Sequence, residues 1–196
     1  CCKVANFKPE KVQIMYGLHG ERDLTEEILP HLEGYKGSKP VRIGNSAHLQ
    51  KQWDIYGSVL DTVWRIHLLD KNYEISLATW SILRGFANYV IQIWQEPDEG
   101  LWEVRGGKQH FVYSKVMCWV ALDRALLIAK EYGFAGEIDV WEKEKESIQK
   151  EVMQRGWSEK RQSFVQSFDS EDLDASKAYK QELKESLKKV DKEFEV

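Results

Sequence analysis

Thr79-Trp80-Ser81-Ile82-Leu83-Arg84-Gly85-Phe86-Ala87-Asn88-Tyr89-Val90-Ile91-Gln92-Ile93-Trp94 places Ile82, Leu83, Phe86, Val90, Ile91 and Trp94 three or four residues apart. That is the spacing of one face of an α-helix. Pro97 and Gly100 stop it, as the ring of proline and the freedom of glycine do beyond a helix C-terminus. Upstream, Ile55, Val59, Leu60, Val63, Ile66 and Leu69 repeat the pattern over residues 55–69. Downstream, a third helix is predicted from near Ser114 to Tyr132, ended by Gly133. A fourth, over 137–155, is rich in i,i+4 charge pairs and closed by Gly156. Helices joined by alternately short and long loops predict an all-α hairpin array, either a bundle or a toroid of helix pairs. No repeat of fixed period is visible, which argues against a simple solenoid.

The flanks are less regular. Residues 11–16, Lys-Val-Gln-Ile-Met-Tyr, alternate like a short strand, and Gly17 and Gly20 punctuate a turn. Residues 26–32 suggest at most a turn or two of helix, and 34–44 read as a loop in which Val41-Arg42-Ile43 is extended. The first third is thus loop-rich, and long loops in compact proteins tend to carry function. Near the other end, Ser163 to Phe168 alternates as a short extended piece. Tyr179, Leu183, Leu187, Val190 and Phe194 then stripe an otherwise charged helix.

With 196 residues, 42% hydrophobic and 31% charged, the chain has the composition of a soluble globular protein of about one domain. A net charge of −4, with lysine and glutamate intermixed, leaves no basic field for a phosphate backbone, so nucleic acid is not an expected partner. Three cysteines make no disulfide framework, since Cys1 and Cys2 are adjacent and Cys118 lies in an apolar run. Neither a membrane span nor a signal peptide is expected, and the reading is a cytoplasmic protein in a reducing compartment. An opening at Cys1 rather than methionine suggests that something upstream was removed or not included. Eight tryptophans, eight tyrosines and seven phenylalanines either line a sugar site or fill the core, since both uses exploit the apolar ring face.

The chemistry concentrates in Glu96-Pro97-Asp98-Glu99-Gly100-Leu101-Trp102-Glu103-Val104-Arg105-Gly106-Gly107, a glycine-rich interhelical loop crowded with carboxylates, a tryptophan and an arginine. Hydrolysis of a glycosidic bond needs a carboxylic acid to protonate the leaving oxygen. In the inverting geometry a second carboxylate activates water on the opposite face. An acid set against an indole loses solvation, which favours its protonated form; Glu103 beside Trp102 meets that demand. The alternative is a set of solvated loop carboxylates with Trp102 as a packing anchor. The five histidines show no metal-ligand spacing, and His67 is read as a packing or surface residue of a helix. Neither Gly17-Leu18-His19-Gly20 nor Gly106-Gly107 matches a phosphate-binding loop.

Five blocks in order resemble glycoside hydrolase family 15 in its prokaryotic branch. They are Tyr35 to Asn45, Gln52-Trp53-Asp54-Ile55-Tyr56-Gly57, Pro97 to Gly106, Ser114-Lys115-Val116-Met117 with Trp119 to Arg124, and Ser163 to Ser167 with Leu173-Asp174-Ala175-Ser176. The resemblance implies an (α/α)6 barrel of the six-hairpin glycosidase type, here in part, with the active site among the loops at one end. It implies a glucoamylase or trehalase activity on α-glucosidic bonds. Glu103 inherits the role of general acid and Trp102 a place in the substrate pocket. Arg105, Trp53, Asp54 and Arg42 are carried over as substrate-binding residues, although Arg42 and Asn45 either bind sugar hydroxyls or brace their loop. Asp123 and Arg124 are read as structural ion pairs. No metal or other cofactor is implied.

The general base, which complete members carry in a later loop, has no counterpart here. Residues 1–176 are therefore read as part of a catalytic domain, with 177–196 a charged amphipathic helix outside the family pattern. The expected partner is an oligosaccharide or trehalose. Self-association or docking with a missing remainder would cover helix faces left wet at roughly 25 cal/mol per Å². The reading from another class is a non-catalytic carbohydrate-binding or protein-interaction module.

Overall fold

A computed structural model describes residues 8–70, 72–102, 106–168 and 170–173; the C-terminal stripe from Tyr179 to Phe194 lies outside them. The chain divides into two units, Cys1–Gln52 and Trp53–Val196.

The first unit is built of turns. A two-residue strand β1, Glu27–Ile28, pairs antiparallel with β2, Arg42–Ile43. The extended reading of 41–43 holds, whereas 26–32 forms a strand and a turn rather than a helix. Residues 11–16 are not a strand either. The Gln13 amide donates to the Tyr16 hydroxyl (2.9 Å), and its side-chain amide donates to the carbonyls of Arg22 (2.9 Å) and His48 (3.2 Å). These bonds hold the segment in an irregular course that alternation cannot anticipate.

The second unit is helical: α1 Asp54–Leu69, α2 Leu77–Ile93, α3 Val112–Tyr132 and α4 Ile138–Arg155. Each lies within two residues of its predicted bounds. Ser76 caps α2, its hydroxyl accepting from the Thr79 amide at 3.1 Å. α3 is apolar nearly all round, and accordingly it is the central helix, packed on α1, α2 and α4. Leu60, Ala121, Leu122, Ala125, Ile128, Trp141 and Ile148 are all fully buried. The chain beyond α4 forms β3, Trp157–Ser158, antiparallel to β4, Ser163–Phe164. The described residues are thus mostly helical, with four helices, as the sequence predicts.

Five of the eight tryptophans, Trp53, Trp80, Trp94, Trp119 and Trp141, are core residues. Four of those indoles donate inward: Trp53 to Glu96 O (3.2 Å), Trp80 to Ala135 O (3.0 Å), Trp94 to Glu144 Oε2 (2.9 Å) and Trp141 to Asn88 Oδ1 (2.8 Å). The aromatic surplus therefore mainly anchors helices to one another. Asp123 and Arg124 form the expected ion pairs. Arg124 donates to Asp61 Oδ1 at 2.8 Å and to Asp123, and Lys145 to Asp123 Oδ1 at 3.3 Å. His67 is a packing residue, its Nδ1 2.8 Å from the Tyr132 hydroxyl and its ring tilted on Trp64.

Helices α1 and α3 touch backbone to backbone at Gly57, where a Cβ would come within 2.2 Å of the Met117 carbonyl oxygen. The carbonyl belongs to a helix and has no rotamer by which to yield. Gly57→Ala is expected to force the helices apart and cost about 1–3 kcal/mol, read as a lower urea midpoint with an unchanged slope.

Candidate active site

The loop between α2 and α3 is tied shut at its neck. The Asp98 amide donates to Gln109 O (3.0 Å) and the Gln109 amide to Asp98 O (2.8 Å). Between those ties Gly100 turns with φ +69°, and its Cα lies so close to the Phe111 ring that a Cβ would stand 2.6 Å from it. Both demands exclude any other residue. Trp102 is carried outward, 56% exposed. Glu103, Val104 and Arg105, among them the acid and the arginine nominated by the sequence, lie outside the described residues.

Beneath the neck sits a buried polar cluster. Asp98 is fully buried, and its Oδ2 accepts from the Trp53 amide (2.9 Å) and from the Ser114 hydroxyl (2.7 Å). Lys115, 1% exposed, donates through Nζ to the carbonyls of Trp94 (2.5 Å) and Glu96 (2.6 Å). A cation there also faces the negative end of the α2 dipole. The start of α1, the end of α2 and the start of α3 are thereby joined through side chains. Burial raises the Asp98 carboxyl above its ordinary range, opposed by the bonds from Trp53 and Ser114 and by the Lys115 charge. Burial likewise lowers the Lys115 ammonium.

Asp54, the first residue of α1, is 6% exposed, and its carboxyl is pushed up to about 6, first by burial and then by the Asp98 charge. Trp53 is 4% exposed. These two nominated residues therefore lie behind the loop, with little surface to offer a ligand. The extended segment after α4 braces the loop's other shoulder: the Val112 amide donates to Gln166 O (3.0 Å), the Phe168 amide to His110 O (2.9 Å) and the Ser167 hydroxyl to Gln109 Oε1 (2.9 Å).

In the first unit Arg42 pairs with Glu26 at 2.9 Å, and the Asn45 side chain accepts from the Ala47 amide at 2.9 Å. Both brace their loop. A depression of about 560 Å³ in this unit is lined by Gln13, Arg22, Asp23, His48 and Lys51 among others, and includes none of the residues nominated from the sequence. Among the described residues no three His, Cys, Asp or Glu side chains converge as a metal site, and no helix is long and apolar enough to cross a membrane.

The polar cluster is what a linear reading missed. Asp98, Ser114 and Lys115 each fall in a block quoted above, but Asp98 meets Trp53 across 45 residues and Ser114 across 16.

The trehalase of Mycolicibacterium smegmatis is 44% identical to this chain over 171 residues, which is 87% of this chain and 25% of that protein. The trehalase of Mycobacterium tuberculosis is 42% identical over the same shares. That of Thermoplasma volcanium is 36% identical over 170 residues, 86% of this chain and 27% of the other. The chain thus spans about a quarter of the length of the curated relatives it matches. No solved structure matches it. The model of the glycosyl hydrolases family 15 covers residues 3–191, and by that match the chain belongs to this family.

Proposed function

We propose that the chain is the acid-bearing part of an inverting α-glucosidic hydrolase acting on trehalose, with Glu103 as general acid. The observation that carries this reading is the sealed loop from Asp98 to Gln109, which exposes Trp102 next to Glu103 in a chain of this family. Trehalose is preferred over maltooligosaccharides because the relatives are named trehalases.

In this mechanism Trp102 stacks on a pyranose face and Arg105 bonds its hydroxyls, while Arg42 braces its own loop through Glu26. Trp53 and Asp54, being buried, hold the loop from behind. Glu103 gives its proton to the bridging oxygen as the C1–O bond breaks. The base that deprotonates water on the opposite face is supplied by polypeptide outside this chain. The exposed Ile66, Leu68 and Leu69 at the end of α1 would be covered by that remainder. The reading from the other class is a sugar-binding module without turnover.

Azide attacks an anomeric carbon without a general base, so it separates the two readings. Purified chain with trehalose and azide is expected to release one glucose per β-glucosyl azide formed, and maltooligosaccharides are expected to react more slowly. Binding without release under these conditions would favour the module, and no calorimetric binding of either sugar would sink both. Trp102→Ala is expected to weaken trehalose binding by about 1–3 kcal/mol if the ring stacks on the sugar. Unchanged binding would return Trp102 to the packing of its loop.

A further inference from the structure

At the end of α1 one phenolic proton has two acceptors within reach. The Tyr132 hydroxyl lies 2.8 Å from His67 Nδ1 and 3.1 Å from Tyr73 O. It can donate to only one of them. On the other side of the ring, His67 Nε2 stands 3.6 Å from Glu131 Oε1. Helices α1 and α3 thus meet the connection between α1 and α2, residues 70–76, around a single imidazole whose side chain is 12% exposed.

The charge of the ring decides where the phenolic proton goes. A neutral imidazole carries one N–H. With that proton on Nδ1, the ring donates to the Tyr132 oxygen and frees the hydroxyl for Tyr73 O, but it turns the Nε2 lone pair toward a carboxylate. With the proton on Nε2, the ring suits Glu131, but a bare Nδ1 then takes the hydroxyl proton and Tyr73 O loses its donor. The imidazolium alone serves all three contacts, donating to Tyr132 and toward Glu131 while the hydroxyl donates to Tyr73 O. His67 also lies in the last turn of α1, where the negative end of the helix dipole favours a cation. The groups that face it are Glu131 and Tyr132 from α3, the Tyr73 carbonyl from the connection and the Trp64 ring from its own helix. Asp70, next beyond α1, has its Oδ1 engaged by the Asn72 amide at 3.0 Å.

We propose that His67 is a proton-operated clasp on the α1–α2 connection. Charged, it donates to Tyr132 and lets the hydroxyl fasten the connection to the end of α3 through Tyr73 O. Neutral, it keeps its one proton on Nε2 for Glu131 and draws the hydroxyl to Nδ1, so the connection is released. The clasped segment lies between Leu69 and Leu77, which are 87% and 73% exposed, and the proton therefore governs how firmly that apolar edge is held. The clasp rests on this geometry and not on the reaction assigned to the Trp102 loop.

Nitrogen chemical shifts of the imidazole, followed through roughly pH 5–8 where histidine changes charge, report the proton on each ring nitrogen. At the low end both nitrogens of His67 are expected to carry one, and at the high end Nε2 alone. The His67→Gln spectrum identifies its signals among the five histidines. Hydrogen exchange of the Tyr73 amide, which donates to Asp70 O at 3.0 Å, reads the connection. Corrected for the intrinsic rate at each pH, its protection is expected to fall about fivefold as the pH rises through that range, the worth of one hydrogen bond, while core amides of α3 keep theirs. Tyr132→Phe retains the ring stacked on Phe134 and removes the hydroxyl, so Tyr73 is expected to be weakly protected at every pH although His67 still changes charge. Glu131→Gln is the sharper variant, because its side chain is 56% exposed and the fold does not depend on it. Its carboxamide can donate to a bare Nε2, which lets the neutral ring keep its proton on Nδ1, and Tyr73 is expected to stay protected at the high end. A wild-type ring that is neutral with its proton on Nδ1, a Tyr73 protection that ignores pH, or a Glu131→Gln connection that releases as wild type does overturns the clasp. No sugar enters these measurements, so a chain inert toward trehalose would count against the function and leave the clasp standing.

Discussion

Lys115→Met is expected to destabilise the chain by about 2–5 kcal/mol, because it strips a donor from two buried carbonyls and removes the cation whose charge acts on Asp98. The methionine retains the apolar length of the lysine stem, so the change isolates the ammonium. Two carbonyls, those of Trp94 and Glu96, lose a donor, and an unsatisfied buried acceptor costs about 1–3 kcal/mol. Glu96 O retains the Trp53 indole as a donor, so Trp94 O is the more exposed to loss. Asp98, still buried, loses the cation that offset its desolvation. Urea unfolding should show a lower midpoint with an unchanged slope. The cost should shrink in a Lys115→Met, Asp98→Asn double variant, since the second change removes the stranded charge and the two sites share partners. A single-variant cost below about 1 kcal/mol would mean that water replaces the ammonium and that the cluster is not a closed unit.

That cluster also marks where the sequence stops being legible. The four helices could be read because their apolar faces follow a local period, and that period survives whatever they pack against. Ser76 and Gly133 fall where a cap and a stop are wanted. The first third could not be read in this way. Its course is set by single side chains reaching across the turn, such as Gln13 to Arg22 and His48, and alternation over six residues has no access to those bonds. The aromatics show a different failure. Composition proposed a sugar-binding surface or a core, and folding sent Trp141 and four others to the core while leaving Trp102 outside. Nothing in the count separates them. The loop's neighbours do so, since Gly100 against Phe111 and the Asp98–Gln109 tie leave Trp102 no inward path.

Legibility of the site itself has two layers. The loop was found because carboxylates, tryptophan and glycine crowd a short segment, a local signal. Its foundations, Trp53, Asp54, Ser114 and Lys115, come from two separate blocks, and the chain order conceals that one carboxylate from a third, Asp98, binds two of them. A resemblance carries whole blocks over together and so assigned Asp54 to the substrate along with Trp53. Burial gives both a different place in the proposal, under the loop rather than on it.

Glu103→Gln is the prediction with the greatest effect on chemistry. Glutamine matches glutamate in shape and still bonds a sugar hydroxyl, but it has no proton to give. In the reaction of trehalose with azide, attack at C1 displaces the second glucose as an alkoxide unless its oxygen is protonated as the bond breaks. General acid catalysis of such a step contributes typically about 10²- to 10⁴-fold. Release of glucose is therefore expected to fall by that factor in the variant, with trehalose affinity changed less than about twofold, since ground-state contacts are kept. α-Glucosyl fluoride provides the internal control. Its fluoride departs without a proton, so the variant should turn it over with azide at close to the wild-type rate. A variant that fails equally on both substrates would show that glutamine disturbed the loop rather than removed an acid. One that loses neither would take the acid role away from Glu103 and with it the catalytic reading of this loop.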